Sequence, residues 1–270
     1  MMKTIAAGYA SAVVFLVVAV VFGAQTWRRN AVWTDPPALW SDAAVKSPQK
    51  ARPHYNLATV LADAGRLDEA LSENLKAIAI RPAYAQAHFN VGAIYHARGN
   101  VASAVREYEI ALAIKPDIEQ AHNNLGYAYY KSGRLQEAVR EFKAALSVNP
   151  EHVKAYVNLG SVYMDLGKYD DAIASYSKAL EYAPDYATGY LKLGEAFLET
   201  GSIDNALGAF KQALRLQPDL ALAYVGLSRA YELLGNSGEA IRQHQKAMEL
   251  DPELAQAVQG AKKRRQIDRP

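Results

Sequence analysis

Three of the six histidines, His54, His88 and His122, recur at intervals of 34 residues, the first pattern in this chain that could carry chemistry. Imidazoles can hold a metal or move a proton. One zinc ion, however, needs its ligands at about 2 Å, and equivalent side chains on stacked helices packed 8 to 10 Å apart stand on the order of 10 Å from one another. The series therefore reads as partly buried replacements for an aromatic residue. Gly160 and Gly167-Lys168 resemble a phosphate loop only superficially, because the spacing is wrong and both glycines have another explanation in the repeat described below. HExxH and GxSxG are absent from the sequence, as is a convincing nucleophile, base and orienter set. Asp117, Asp185 and Asp219 fall at helix starts, where a carboxylate complements the helix dipole. The expectation is a protein that is not an enzyme, with no catalytic residues, no metal and no cofactor.

A different chemistry is offered by side-chain amides. Asn56, Asn90, Asn124 and Asn158 recur in register, then give way to Lys192 and Gly226. Around them fall Phe89, Asn123, Tyr127, Tyr130, Lys131, Ser161 and Met164. A primary amide both donates and accepts hydrogen bonds, so a ladder of them can hold the backbone of an extended peptide whatever its sequence. Neighbouring rings would add apolar anchoring. The same asparagines could instead support packing between neighbouring units, and residue types alone leave both roles open.

The elements that must position these residues follow from periodicity. Tyr156, Leu159, Gly160 and Tyr163 lie at helical spacing on one face, Gly167 ends that helix, and Ala172, Tyr176, Ala179 and Leu180 form a second stripe before Pro184 stops it. Such a hairpin cannot bury its stripes alone. Moving the frame by 34 residues without insertion gives six contiguous units, 51–84, 85–118, 119–152, 153–186, 187–220 and 221–254. Turn glycines at 65, 99, 133, 167, 201 and 235 and stop prolines at 82, 116, 150, 184, 218 and 252 keep phase throughout. So do alanines at 70, 104, 138, 172, 206 and 240, where close helix approach admits only a methyl group.

This pattern resembles the tetratricopeptide repeat (TPR) family, in which aromatic-x2-Leu-Gly-x2-Tyr is followed by Ala-x3-Phe and Pro at the same period. The resemblance covers roughly three quarters of the chain and implies an all-α fold, a solenoid of helical hairpins wound into a right-handed superhelix. It departs from the family pattern at the three histidines, at Asn74 in the first unit and at His244 in the last. In TPR proteins that bind extended peptides, the asparagine at this first-helix position contacts the peptide, so the resemblance implies a protein or peptide partner in a concave groove. A clamp for a C-terminal carboxylate is not expected, since the coordinated basic residues are missing.

Outside the repeats, the uncharged run from Ile5 to Ala24 is long enough as a helix, about 30 Å, to cross a bilayer core. Residues 1–30 are accordingly expected to be a membrane anchor with a single transmembrane helix at about 5–24 contacting the lipid bilayer. A cleaved secretory signal is the competing reading. The repeats are expected on the extracytoplasmic (periplasmic) side of a single-pass membrane protein. Residues 31–50 step back in frame to Trp40, Ala43 and Pro48, a degenerate leading half-repeat with Asp35 as N-cap and Pro36 at the first helical position. Residues 255–270 are expected to form a C-terminal capping helix and basic tail. With a net charge of only +2, no nucleic-acid partner is expected. The cysteine-free sequence excludes a disulfide framework and leaves the redox compartment open.

A spanning helix, a Trp-rich half-unit and then repeats is also similar to membrane-embedded glycosyltransferases that carry TPR arrays. Three roles follow: a membrane-anchored scaffold or adaptor gripping an extended segment, a constitutive structural or assembly subunit of a membrane complex, and a targeting subunit for a separately encoded glycosyltransferase or other enzyme.

Overall fold

A computed structural model describes Phe22 and residues 35–253. Thirteen helices run in order through residues 36–250. They are α1 Pro36–Lys46, α2 Ala51–Asp63, α3 Leu67–Ile80, α4 Ala85–Ala97, α5 Val101–Ile114, α6 Glu119–Lys131 and α7 Leu135–Val148. Then follow α8 Val153–Asp165, α9 Tyr169–Tyr182, α10 Ala187–Glu199, α11 Ile203–Leu216, α12 Ala221–Leu233 and α13 Ser237–Leu250. No strand occurs among the described residues. The helices fall into two compact units, α1 to α5 and α6 to α13, divided between Lys115 and Pro116.

Every hairpin turns in the same way. At the end of α2, Gly65 sits at φ +74°, its N–H donates to the Ala62 carbonyl, and the Arg66 N–H reaches back to the Leu61 carbonyl. These two bonds satisfy carbonyls that the last helical turn leaves orphaned, and the left-handed backbone between them is open to glycine at no steric cost. Glycines 99, 133, 167, 201 and 235 repeat the positive φ. Second helices stop where the following proline confines its predecessor to extended backbone: Arg81 before Pro82 has φ −135° and ψ 88°.

Close approach of the two helices of a hairpin is encoded in one coupled pair. Tyr108, Phe142, Tyr176 and Phe210 on the second helices are essentially inaccessible to solvent. Each ring lies over the first-helix glycine of its own hairpin, namely Gly92, Gly126, Gly160 and Gly194. A Cβ at Gly160 would stand 2.6 Å from the Tyr176 ring. Where the first helix carries a side chain at this position, as at Ala58 and Ser228, the second carries no hydrocarbon ring but Asn74 and His244. Ser228 uses its hydroxyl to bond the Ala240 carbonyl of α13, and Asn74 donates to the Ala70 carbonyl while its Oδ1 is buried without a partner. The alanines Ala70 and Ala77 of α3, and Ala206 and Ala213 of α11, are fully excluded from solvent, as close contact between helices demands.

Helix α1 packs through Trp40 and Ala44 against Leu57, Leu61 and Ala70, covering an apolar edge of the first hairpin. Asp35 occupies the N-cap position of α1, but its side chain makes no capping hydrogen bond there. The expected capping helix and tail at 255–270 lie outside the described residues.

The expectation of a single-pass membrane protein with a preceding transmembrane helix and extracytoplasmic repeats is corrected. Among the described residues no helix is long and apolar enough to cross a membrane. The longest have 14 residues, about 21 Å of rise against the roughly 30 Å of a bilayer core. The run at 5–24 that carried the expectation lies, apart from Phe22, outside the described residues, and a lipid-bilayer partner is left without support.

Candidate functional site

The first helices carry the residues singled out from sequence, and each of the two units presents its own set. In the unit ending at Lys115, Asn56 of α2 and Asn90 and Phe89 of α4 are half-buried. The Phe89 ring lies 5.9 Å from that of Tyr108, so it is a tilted extension of the core ring rather than a free platform. Between α2, the start of α3 and α4 lies an open, mostly apolar cavity of about 200 Å³. Asn90 lines it together with Thr59, Ala62, Asp63, Leu67, Ala93, Ile94 and Ala97. An amide is thus set beside a recess that an aliphatic side chain could enter.

In the unit beginning at Pro116, the asparagines touch one another. Asn158 of α8 donates from Nδ2 to Asn123 Oδ1 at 3.1 Å, and Asn123 donates to Asn124 Oδ1 at 3.3 Å. Asn123 is buried, so its role is to join neighbouring first helices. Asn158 spends one donor on that contact and Asn124 one acceptor, and both amides have further hydrogen-bonding capacity. Tyr127, Tyr130, Ser161 and Met164 are half-buried nearby and Lys131 is exposed. Burial, followed by its hydrogen bond to Asp165, pushes the Tyr130 phenol up to about 12. Ser161 Oγ bonds the Val157 carbonyl and lies 3.2 Å from the Tyr176 hydroxyl. Burial likewise raises the Tyr176 phenol to about 12. Further along, Lys192 pairs with Glu195 and Arg229 with Glu199, so this face carries charge of both signs.

The histidines take up a role that residue types alone did not suggest. His54, His88 and His122 place Nδ1 at 2.6, 2.7 and 2.7 Å from the carboxylates of Glu73, Glu107 and Glu141 on the second helix of the same hairpin. Their Nε2 atoms face the carbonyls of Pro48, Pro82 and Pro116 at 3.2, 2.9 and 2.9 Å. Each ring ties the proline loop entering a hairpin to both of its helices. For His122 the Glu141 hydrogen bond raises the imidazole above its usual range against the opposing effect of burial, with help from the Pro116 carbonyl. Burial pushes the Glu73 carboxyl up, but hydrogen bonds from His54 and Lys76 outweigh it and hold the group low. Among the described residues no cluster of three or more His, Cys, Asp or Glu side chains could hold a metal.

The signal for these partners was present in the sequence. Glu73, Glu107 and Glu141 repeat at the same 34-residue step as the histidines, while the units with Tyr156, Tyr190 and Tyr224 carry Ser175, Ala209 and Gln243 at the glutamate position. Tyr224 donates its hydroxyl to Pro218 O at 3.2 Å, the same class of carbonyl that the imidazoles reach.

Family comparison agrees with the repeat geometry. A family profile described as TPR repeat matches residues 60–99, 92–133, 126–167 and 160–201, and a second, described as Tetratricopeptide repeat, matches 191–255. The chain belongs to the TPR family. No curated protein matches it. Among solved structures it is similar to YrrB, titled a TPR protein with an unusual peptide-binding site, at 23% identity and a TM-score of 0.61, over 68% of this chain and 95% of that one. MamA is similar at 26% identity and a TM-score of 0.57, over 62% and 97% of the two chains. PilF of Pseudomonas aeruginosa reaches a TM-score of 0.67 at 20% identity, over 78% and 97%. The likenesses to YrrB and PilF establish the fold alone. As a TPR protein the chain falls in the class of protein–protein interaction modules.

Proposed function

We propose that this TPR protein is a non-enzymatic scaffold that holds a partner protein by an extended segment lying along the first-helix faces. The observation that carries this reading is the set of in-register amides beside apolar relief: Asn90 at the rim of the 200 Å³ cavity, and Asn124 and Asn158 beside Tyr127, Tyr130 and Met164. An extended peptide brings one N–H and one C=O per residue, and primary amides can satisfy both. The rings and the recess supply apolar area, which sets residence time. Asn56 and Phe89 extend the proposed contacts in the unit of Asn90, and Lys131 and Ser161 in that of Asn124 and Asn158, where Asn123 supports them through its bond to Asn158.

The test is selection of peptides from a display library on the full-length chain, followed by titration with variants. Asn56→Ala and Asn90→Ala together are expected to weaken the selected peptides by tenfold or more while leaving the melting temperature nearly unchanged. Undiminished binding in this double variant, or a loss of binding that tracks a loss of stability, would reject the assignment.

A further inference from the structure

Three hairpins of this chain carry a hydrogen-bonding arrangement that is complete only when an extra proton is present. A neutral imidazole has one N–H and one bare nitrogen. At His54, His88 and His122, Nε2 faces a backbone carbonyl, which can only accept, so that nitrogen must carry hydrogen. Nδ1 then faces a carboxylate oxygen within 2.7 Å. An ionised carboxylate also only accepts. Without a further proton, two lone pairs would confront each other inside a site whose ring is at most 15% exposed. The contact is bonding only if one proton, taken from solvent, lies between ring and carboxylate, as imidazolium with carboxylate or imidazole with carboxylic acid.

We propose that the hairpins α2–α3, α4–α5 and α6–α7 are each latched by one shared proton, and that the hairpins α8–α9, α10–α11 and α12–α13 are not. The last three have tyrosine at the histidine position and no carboxylate opposite it. Tyr224 shows the alternative, donating a phenolic hydroxyl to the proline carbonyl with no carboxylate involved. The latch therefore makes one half of the repeat array loosen as pH rises while the other half stays closed.

Charged groups around each latch support this assignment. Glu73 also takes Lys76 on its second oxygen at 2.6 Å, and Arg66 and Glu69, which share a pocket wall with Glu73 and Asp35, are already paired with each other. Glu107 and Glu141 pair with His88 and His122. The sign is fixed by His122, whose imidazole is raised in the folded chain. Its contribution is fully present below the unfolded histidine value, about 6.5, and is lost as pH rises through the folded value.

Hydrogen exchange by mass spectrometry on the full chain at pH 6 and pH 9, corrected for intrinsic exchange, tests the proposal. Opening of helices within 51–148 is expected to increase with pH, by tenfold for each unit separating folded from unfolded His122 in the 119–148 hairpin. Opening within 153–250, which lacks the paired His and Glu positions, is expected not to increase with pH. The triple variant Glu73→Gln, Glu107→Gln and Glu141→Gln replaces the shared proton with an amide donor to a neutral ring, and is expected to flatten the pH dependence while leaving the chain folded. Nitrogen-15 shifts of the three histidines, read with carboxyl carbon-13 shifts of the three glutamates at pH 6, give an independent readout, with one proton expected at each ring–carboxylate contact, as a second ring N–H or as a carboxylic acid. Equal pH dependence in the two halves, a triple variant with an unchanged slope, or rings with a bare Nδ1 beside an ionised glutamate would overturn the proposal.

Discussion

Replacing Gly160 with alanine sets two known effects against each other. In an open helix the change is favourable by up to about 1 kcal/mol, because alanine loses less backbone entropy. Here the new Cβ would stand 2.6, 2.8 and 2.9 Å from three atoms of the Tyr176 ring. Normal carbon contacts are about 3.5 to 4.0 Å, so the ring must retreat by roughly 1 Å. It has little room: Tyr176 is 1% exposed and its hydroxyl lies 3.2 Å from Ser161 Oγ. Overpacking of this kind typically costs about 1 to 3 kcal/mol, so Gly160→Ala is expected to destabilise by roughly 0 to 2 kcal/mol after its propensity gain. Gly208→Ala supplies the control, since that helical glycine has no atom within 4 Å of its added Cβ. It is expected to stabilise by up to about 1 kcal/mol. Urea denaturation followed by circular dichroism compares the two variants in one chain, and the difference between them isolates the steric term even if the repeats do not unfold in a single step. Equal stabilisation by both substitutions would refute the close-approach account of the hairpins.

Other outcomes follow from the same geometry. Asn74→Tyr alone should destabilise by about 1 to 3 kcal/mol because Ala58 stands where the ring hairpins have glycine, whereas Ala58→Gly with Asn74→Tyr should recover much of that loss in a double-mutant cycle. Additive effects would argue against the coupling. Gly167→Ala, at φ +68° with open space around the added carbon, should cost about 1 to 2 kcal/mol through backbone strain alone, and a neutral result in urea titration would contradict it. Tyr130 and Tyr176 have folded phenols raised to about 12 from 10. Their stabilising contribution is present below pH 10 and lost between 10 and 12, so phenolate absorbance should develop at these two tyrosines only above pH 10; an unshifted titration of both would exclude the burial assigned to them.

Much of the fold was legible because the informative residues are local. A glycine in the left-handed region and a proline two residues past a helix act within one turn of the chain, so Gly65 and Pro82 mark their hairpin without knowledge of the rest. The amide positions were legible for the same reason, as a fixed phase on an amphipathic helix. Partners far apart in sequence were harder to see. Glu73 lies 19 residues from His54 on another helix, and the correlation across repeats that marks it becomes informative only when both positions are compared unit by unit. Asn158 repeats at a fixed phase in the sequence, but its bond to Asn123, 35 residues away, depends on how neighbouring first helices sit. No pattern in one helix records that distance. The transmembrane expectation rested on composition at residues 5–24, and no helix among the described residues is long and apolar enough to cross a membrane.

In the proposed function the partner lies on the first-helix faces and not on the second helices. Photoreactive residues placed at Ala93 or Met164 on first helices, and at Arg106 or Ala174 on second helices, compare the two directly with a library-selected peptide bound to the full chain. Crosslinks confined to Ala93 and Met164 are expected. Crosslinks chiefly from Arg106 and Ala174 would put the peptide on the second helices and reject the proposed function.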